Sequence, residues 1–320
     1  MKGALRSAAE APAFGIWMGS AMTQIIAAIG PGFLFQASDR LVSVLPELRP
    51  YDSNANKSLI VGCADGVALV GYTGVAYIGG RPTDQWIAET LTGLDLSTPF
   101  LMSGACHEHG DEPLHVMVGR LAEALGVALQ SRPDLAHEIL VVGWTYSERG
   151  SVPTGYARII RWAGGRLSVE SPAPRIKPHD DLFHLVGVPR VARAVTAPLV
   201  QAISVWTGNW DIEALELAAA GTIQSISRKG IGPDALIITV RFADFPPHAR
   251  VRFMPAGSFS EAFTPWVITP CGITAPSAEV GGPMTASFGR LDVEVICVLP
   301  RAGETKLLSS SPMKRKPPPR

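Results

Sequence analysis

Two pairs of short apolar runs, each split by turn-forming residues, constrain this chain more than any other feature. Residues 22–29 and 33–42 are separated by Pro31-Gly32, and 57–63 (KSLIVGC) and 67–73 (VALVGYT) by Ala64-Asp65-Gly66. Runs of this length bounded by Pro-Gly or Asp-Gly read as paired strands, and the Asp-Gly step suits a tight turn with positive φ. A chain that opens with four such strands builds antiparallel sheet, and it lacks the strand–helix alternation of a Rossmann-type fold.

The remaining pattern adds helices in blocks. Thr83 is a credible N-cap for a helix carrying Trp86, Ile87 and Leu91. Leu114, Val118, Leu121, Leu125 and Leu129 share one stripe of a 3.6-residue period and predict a second helix. Strands are expected at 138–147 and across 154–170, where Gly164-Gly165 divides two β-prone runs, with helices at 189–204 and 211–226 and a closing strand at 235–242. Residues 245–300 hold eight prolines and few helical signals, while 292–299 (DVEVICVL) alternates as a half-buried strand does. The stretch 302–320, with Ser309-Ser310-Ser311, Lys314-Arg315-Lys316 and Pro317-Pro318-Pro319, reads as a solvated tail.

Composition removes several function classes. The 28 basic and 28 acidic residues balance, so no global field favours nucleic acid or an anionic membrane. The tryptophans at 144, 162, 205, 210 and 266 are not interleaved with basic residues as a base-stacking surface would require. Residues 11–38 carry no charge and are long enough to cross a bilayer. Their prolines, glycines and glutamines read instead as a leader and two buried strands, so no membrane association is expected. Lys2, Arg6 and Gly19-Ser20-Ala21 sketch a secretory signal that Glu10 and Pro12 weaken. Cys63, Cys106, Cys271 and Cys297 form no C-x-x-C pair, which points to a reducing, cytoplasmic setting.

Three residues carry the chemistry. Thr23 opens the first strand, Asp39 ends the second sixteen residues later, and Lys57 begins the third. The run MTQIIAAIGPGFLFQASDRLVS, followed by NKSLIVGCADGVALVGYTGVAYIGG, resembles the start of proteasome β-type subunits and bacterial proteasome-like peptidases, of the N-terminal nucleophile hydrolase superfamily. The resemblance implies a four-layer αββα sandwich over 22–243, preceded by a leader, propeptide or misplaced start at 1–21 and followed by a β-rich extension at 244–301 and the tail. It also implies an amide-bond hydrolase acting on a peptide or small amide, assembly as a homo-oligomer, and no cofactor.

In that family a processed N-terminal threonine is the nucleophile, so Thr23 is expected to become N-terminal through autolysis or through a start at Met22. A threonine hydroxyl is a poor nucleophile, and a free α-amino group with a pKa of about 7.7–8 can take its proton near neutral pH. Lys57 then favours the developing alkoxide, Asp39 holds Lys57, and the Gly74 N–H receives the oxyanion, with Gly71 as second choice. Val188, Lys229 and Gly232 stand where the family carries a supporting Ser, Asp and Ser, which leaves open a catalytically silent assembly or binding subunit. The other candidate cluster is Cys106, His107, Glu108 and His109 with Asp111 and His115, metal-ligand types within one loop whose spacing matches no zinc signature.

Overall fold

The computed structural model describes residues 23–30, 32–44, 49–52, 55–97, 111–146, 153–171, 184–188, 212–227, 231–241, 247–255, 264–270, 272–274, 276, 284–287 and 291–297. It is a mixed α/β chain, mostly sheet, with three helices among the described residues. The leader, the 189–204 helix, Lys229, the cluster Cys106, His107 and His109, and the tail lie outside the described residues.

Both expected hairpins form, but the second turns at Ala64-Asp65, and Gly66 is already the first residue of its second strand, without the positive φ expected of the Asp-Gly step. β1 (Ile25–Gly30) pairs antiparallel with β2 (Phe33–Asp39), turning at Gly32 with φ +75°. Next come the short ribbon β3 (Val42–Val44) and β4 (Arg49–Asp52), and the hairpin β5 (Ser58–Cys63) and β6 (Gly66–Thr73). After the small β7 (Tyr77–Ile78) and β8 (Arg81–Pro82), helices α1 (Thr83–Thr92) and α2 (Leu114–Leu129) follow, then β9 (His137–Thr145), β10 (Thr154–Ala163) and β11 (Arg166–Glu170). β12 (His184–Val188) precedes α3 (Ile212–Ile226), β13 (Ala235–Arg241), β14 (His248–Met254), β15 (Trp266–Thr269), β16 (Gly272–Thr274), β17 (Met284–Ser287) and β18 (Asp292–Cys297).

Two seven-stranded sheets result, ordered β12-β1-β2-β13-β14-β18-β17 and β11-β10-β9-β6-β5-β15-β16. Period-2 alternation explains how they meet. Ile25, Ala27, Ile29 and Leu34 of the first sheet share a core with Ile60, Leu69, Leu140 and Val142 of the second. Alternate residues of the second sheet, such as Leu59, Val61 and Val70, pack outward on Ile87, Leu91, Leu121 and Leu125 of α1 and α2. On the first sheet Ile26, Phe33, Phe35 and Ile237 pack on Leu215, Ala219 and Ile223 of α3. The whole α2 stripe read from the sequence is buried. Trp144 reaches between the sheets and donates its indole N–H to the Phe33 carbonyl at 3.1 Å.

Two further readings are corrected. Thr83 is the first residue of α1 and not its N-cap, which is Pro82; the Thr83 hydroxyl donates instead to the Val75 carbonyl at 2.7 Å. The sheets are also not purely antiparallel, since β18 runs parallel to β14 and β15 parallel to β5. The strands within 245–300 cross from the first sheet to the second and back, and such crossovers are what parallel pairing requires.

Glycine positions show how tightly the frame is set. A Cβ on Gly66 would lie 1.9 Å from the Trp144 carbonyl oxygen of the neighbouring strand, whereas one on Gly119, exposed on α2, meets nothing within 4 Å. Gly66→Ala is therefore expected to destabilise the protein by about 3 kcal/mol or more through forced strand displacement, and Gly119→Ala to stabilise it by about 0.5–1 kcal/mol. Urea unfolding of both variants checks this, and an unchanged midpoint for Gly66→Ala would contradict it.

Candidate active site

The site forms where the beginnings of β1 and β5 and the end of β2 converge between the sheets. Thr23 precedes β1, Asp39 closes β2 and Lys57 precedes β5, with only 5%, 0% and 2% of their surfaces exposed. Antiparallel pairing of β1 with β2 accounts for the first juxtaposition. The register that matches Ile25 with Ser38 continues so that the Asp39 N–H donates to the Gln24 carbonyl at 3.2 Å. Packing of the two sheets then supplies Lys57.

Three acceptors surround the Lys57 ammonium. Nζ donates to Thr23 Oγ1 at 2.9 Å, to Asp39 Oδ2 at 3.0 Å and to the Leu41 carbonyl. The Asp39 carboxylate accepts from Lys57 and from three backbone donors: Gln24 N–H on Oδ1 at 2.8 Å, and Leu41 and Gly232 N–H on Oδ2 at 3.1 Å each. Burial pulls the Lys57 pKa below the ordinary lysine value, while Asp39, by charge and hydrogen bond, and Asp52 oppose the shift. An ammonium held this close to a hydroxyl stabilises the alkoxide that forms when the hydroxyl loses its proton.

Gly74 lies one residue beyond β6 with φ +104°, a conformation that favours glycine. A Cβ there would stand 2.3 Å from the Ala136 carbonyl oxygen and 2.9 Å from His137 Cα. Its neighbour Thr73 donates from Oγ1 to the Thr23 carbonyl at 3.4 Å, bringing the end of β6 to the nucleophile candidate. Gly71 sits within β6, where its missing Cβ makes room for the Gln36 amide at 2.3 Å, a packing role. The structure thus brings Thr23 and Asp39 together on the Lys57 ammonium, and Gly74 follows Thr73, whose hydroxyl touches the Thr23 carbonyl.

Two of the three departures, Val188 and Gly232, fall on described residues. β12 pairs Val188 with Ile25. Gly232 closes against Leu41, whose Cβ would stand 2.8 Å from an added one, and contributes its N–H to Asp39. A serine at 232 could not fit without moving Leu41. Asp111 and His115, the described members of the possible metal cluster, are exposed, and no group of three or more His, Cys, Asp or Glu side chains among the described residues could hold a metal ion.

Two features escaped the sequence reading. Gln36, Ser38 and Ser58 occupy core-facing positions, with Gln36 Nε2 donating to Ser58 Oγ at 2.7 Å and the two serine hydroxyls 3.2 Å apart. Polar residues at the apolar phase of β2 and β5 were the signal, since buried polar groups need partners. The second is His137, fully buried at the start of β9. Its Nδ1 accepts the Val75 N–H at 3.1 Å, its ring stacks on Tyr72 at 6.0 Å, and burial pulls its pKa down to about 3.

No family model matches the chain and no curated protein matches it. Among similar solved structures are Anbu (ancestral beta-subunit) from Yersinia bercovieri, 13% identical over 68% of this chain and 80% of that one, with a TM-score of 0.42. Another is an Anbu (Gly-1) mutant from Hyphomicrobium sp. strain MC1, 12% identical over 74% of this chain and 88% of that one, with a TM-score of 0.44. The resemblance to proteasome β-type subunits and bacterial proteasome-like peptidases is corrected accordingly: these neighbours belong to a distinct ancestral-β family, and at this similarity no family membership follows.

The site makes two stability predictions. Removing one partner of a buried ion pair strands the other charge, so Lys57→Met is expected to cost about 3–5 kcal/mol. The double variant Lys57→Met/Asp39→Asn is expected to be more stable than the sum of the single effects by 1 kcal/mol or more, roughly. Additivity in a urea-unfolding cycle would contradict the pair.

For His137, the unfolded chain binds the extra proton below pH about 6.5 while the folded chain refuses it until about 3. Its contribution is complete above pH about 6.5 and falls with pH by up to about 1.4 kcal/mol per unit. The stability advantage of wild type over His137→Asn should therefore shrink by about 2 kcal/mol between pH 7 and pH 5. A pH-independent difference would contradict this reading.

Proposed function

We propose that the protein is an amide-bond hydrolase of the N-terminal nucleophile type, with Thr23 Oγ1 as nucleophile, carried on an αββα frame. The observation that carries this reading is the 2.9 Å contact of Lys57 Nζ with Thr23 Oγ1, backed by Asp39. A buried ammonium beside a lone hydroxyl is an arrangement that stability alone does not favour, because a buried ion pair is often no better than apolar residues of similar volume.

With Thr23 at the chain terminus, its α-amine takes the hydroxyl proton as Oγ1 attacks the amide carbon. The C=O π pair moves to oxygen, and the oxyanion is received by the Gly74 N–H. Collapse expels the leaving amine, which takes the proton from the α-ammonium and leaves an acyl ester on Thr23. Water, deprotonated by the same amine, then hydrolyses the ester. Lys57 holds charge at the alkoxide, and Asp39, fixed by three backbone N–H donors, holds Lys57. The substrate is a peptide or small amide, and assembly into a homo-oligomer is part of the proposal.

A second reading has its own support. The Lys57 ammonium has three acceptors and Asp39 four donors without any ligand, so the trio also serves as a complete structural tie in a catalytically silent assembly or binding protein.

N-terminal sequencing of the protein from its host, followed by turnover of an amide panel, separates the two. The hydrolase reading expects a chain beginning at Thr23, and kcat/KM rising with pH through an apparent value at or below about 8. It also expects a loss of at least about 10⁴-fold in Thr23→Ala. Processed wild type that turns over no amide, or activity unaffected by Thr23→Ala, would overturn it in favour of the silent protein.

A further inference from the structure

His137 is a buried titratable group that the chemistry above does not use. It lies directly behind the turn that holds Gly74. β6 and β9 pair with Thr73 opposite Glu138, which leads Gly74 against His137. The close approach of Ala136 and His137 leaves no room for a Cβ on Gly74. A glycine is required there, and a glycine does not fix its own peptide planes. Something else must hold the turn.

Hydrogen bonds supply the holders. The Val75 carbonyl is held by the Thr83 hydroxyl at 2.7 Å, and the Ala76 carbonyl by the Thr83 N–H at 2.9 Å, so the peptides after Val75 are tied to α1. Among the described residues, the peptide between Gly74 and Val75 is tied by its N–H alone, to His137 Nδ1 at 3.1 Å. To accept there, a neutral imidazole must carry its proton on Nε2, and that atom has no hydrogen-bond partner among the described residues. Burying a donor without a partner is unfavourable, so packing alone does not explain a histidine at this position. The ring also stacks on Tyr72, whose hydroxyl donates to the Asn56 carbonyl and whose N–H donates to the Lys57 carbonyl, connecting the turn to the Lys57 segment.

We infer that His137 is a positioning residue for the oxyanion turn: Nδ1 locks the Gly74–Val75 peptide so that the adjoining Gly74 N–H keeps one orientation. This rests on the hydrolase reading, and its test includes an arm that needs no turnover. His137→Asn keeps an acceptor near the Nδ1 position, whereas His137→Leu removes it. Amide hydrogen exchange is expected to show Val75 protected in wild type and His137→Asn and at least about 10-fold less protected in His137→Leu. Kinetics are expected to show kcat down by roughly 10²–10³-fold in His137→Leu, with KM within about twofold and most activity restored in His137→Asn.

Unchanged Val75 protection in folded His137→Leu would overturn the lock, as would loss of kcat in a folded His137→Asn that keeps the protection. If processed wild type turns over no amide, the hydrolase reading and the oxyanion role attached to it fail. The exchange arm then still reports on the lock itself, so the two failures are told apart. Should His137→Leu not fold, His137→Asn alone decides, with retained protection and kcat expected.

Discussion

A lysine ammonium buried between two sheets is the constraint to which the rest of this structure answers. Lys57 is 2% exposed, and charge at that depth is tolerated only with every donor satisfied. Its three acceptors come from three places: Thr23 two residues before β1, the end of β2, and the Leu41 carbonyl just beyond. Asp39 in turn draws Gln24, Leu41 and Gly232 inward through their N–H groups. The approach to β13 is thereby tied to the same point as β1, β2 and β5. Loosening any of these strands exposes or strands a charge, so the frame and the site fix one another's geometry.

The same logic governs the surrounding layer. Gln36, Ser38 and Ser58 continue a polar seam from the trio into the apolar core, and Gly71 is glycine because the Gln36 amide occupies the space of its Cβ. On the far side, Gly74 is pressed against the start of β9, and His137 and Thr83 hold the turn that follows it. Burial keeps His137 neutral down to about pH 3, which preserves its acceptor nitrogen throughout the ordinary pH range.

Much of this was legible in the sequence because it depends on local rules. Pro31-Gly32 and Asp65-Gly66 announced hairpins, and the stripe from Leu114 to Leu129 announced α2. The spacing of Thr23, Asp39 and Lys57 placed each at a strand end, where sheet packing brought them within hydrogen-bond distance. What the sequence concealed was long-range. The parallel entry of β15 beside β5 and β18 beside β14 depends on crossovers between sheets that no local period encodes. His137 was invisible because a lone histidine at a strand start carries no pattern, and its meaning arises only from the Val75 N–H 62 positions earlier. The family resemblance reached further than the comparisons support, since strand order and three residue types are shared more widely than membership.

The most direct test of the account is covalent trapping at Thr23. Protein with its α-amine exposed at Thr23 would be treated with a β-lactone, and the acyl adduct located by intact mass and peptide mapping. A single adduct on Thr23 is expected, absent in Thr23→Ala and strongly slowed in Lys57→Met. A folded, correctly processed protein that forms no adduct, or forms one equally well without Lys57, would contradict the claim that this buried ammonium activates a nucleophile.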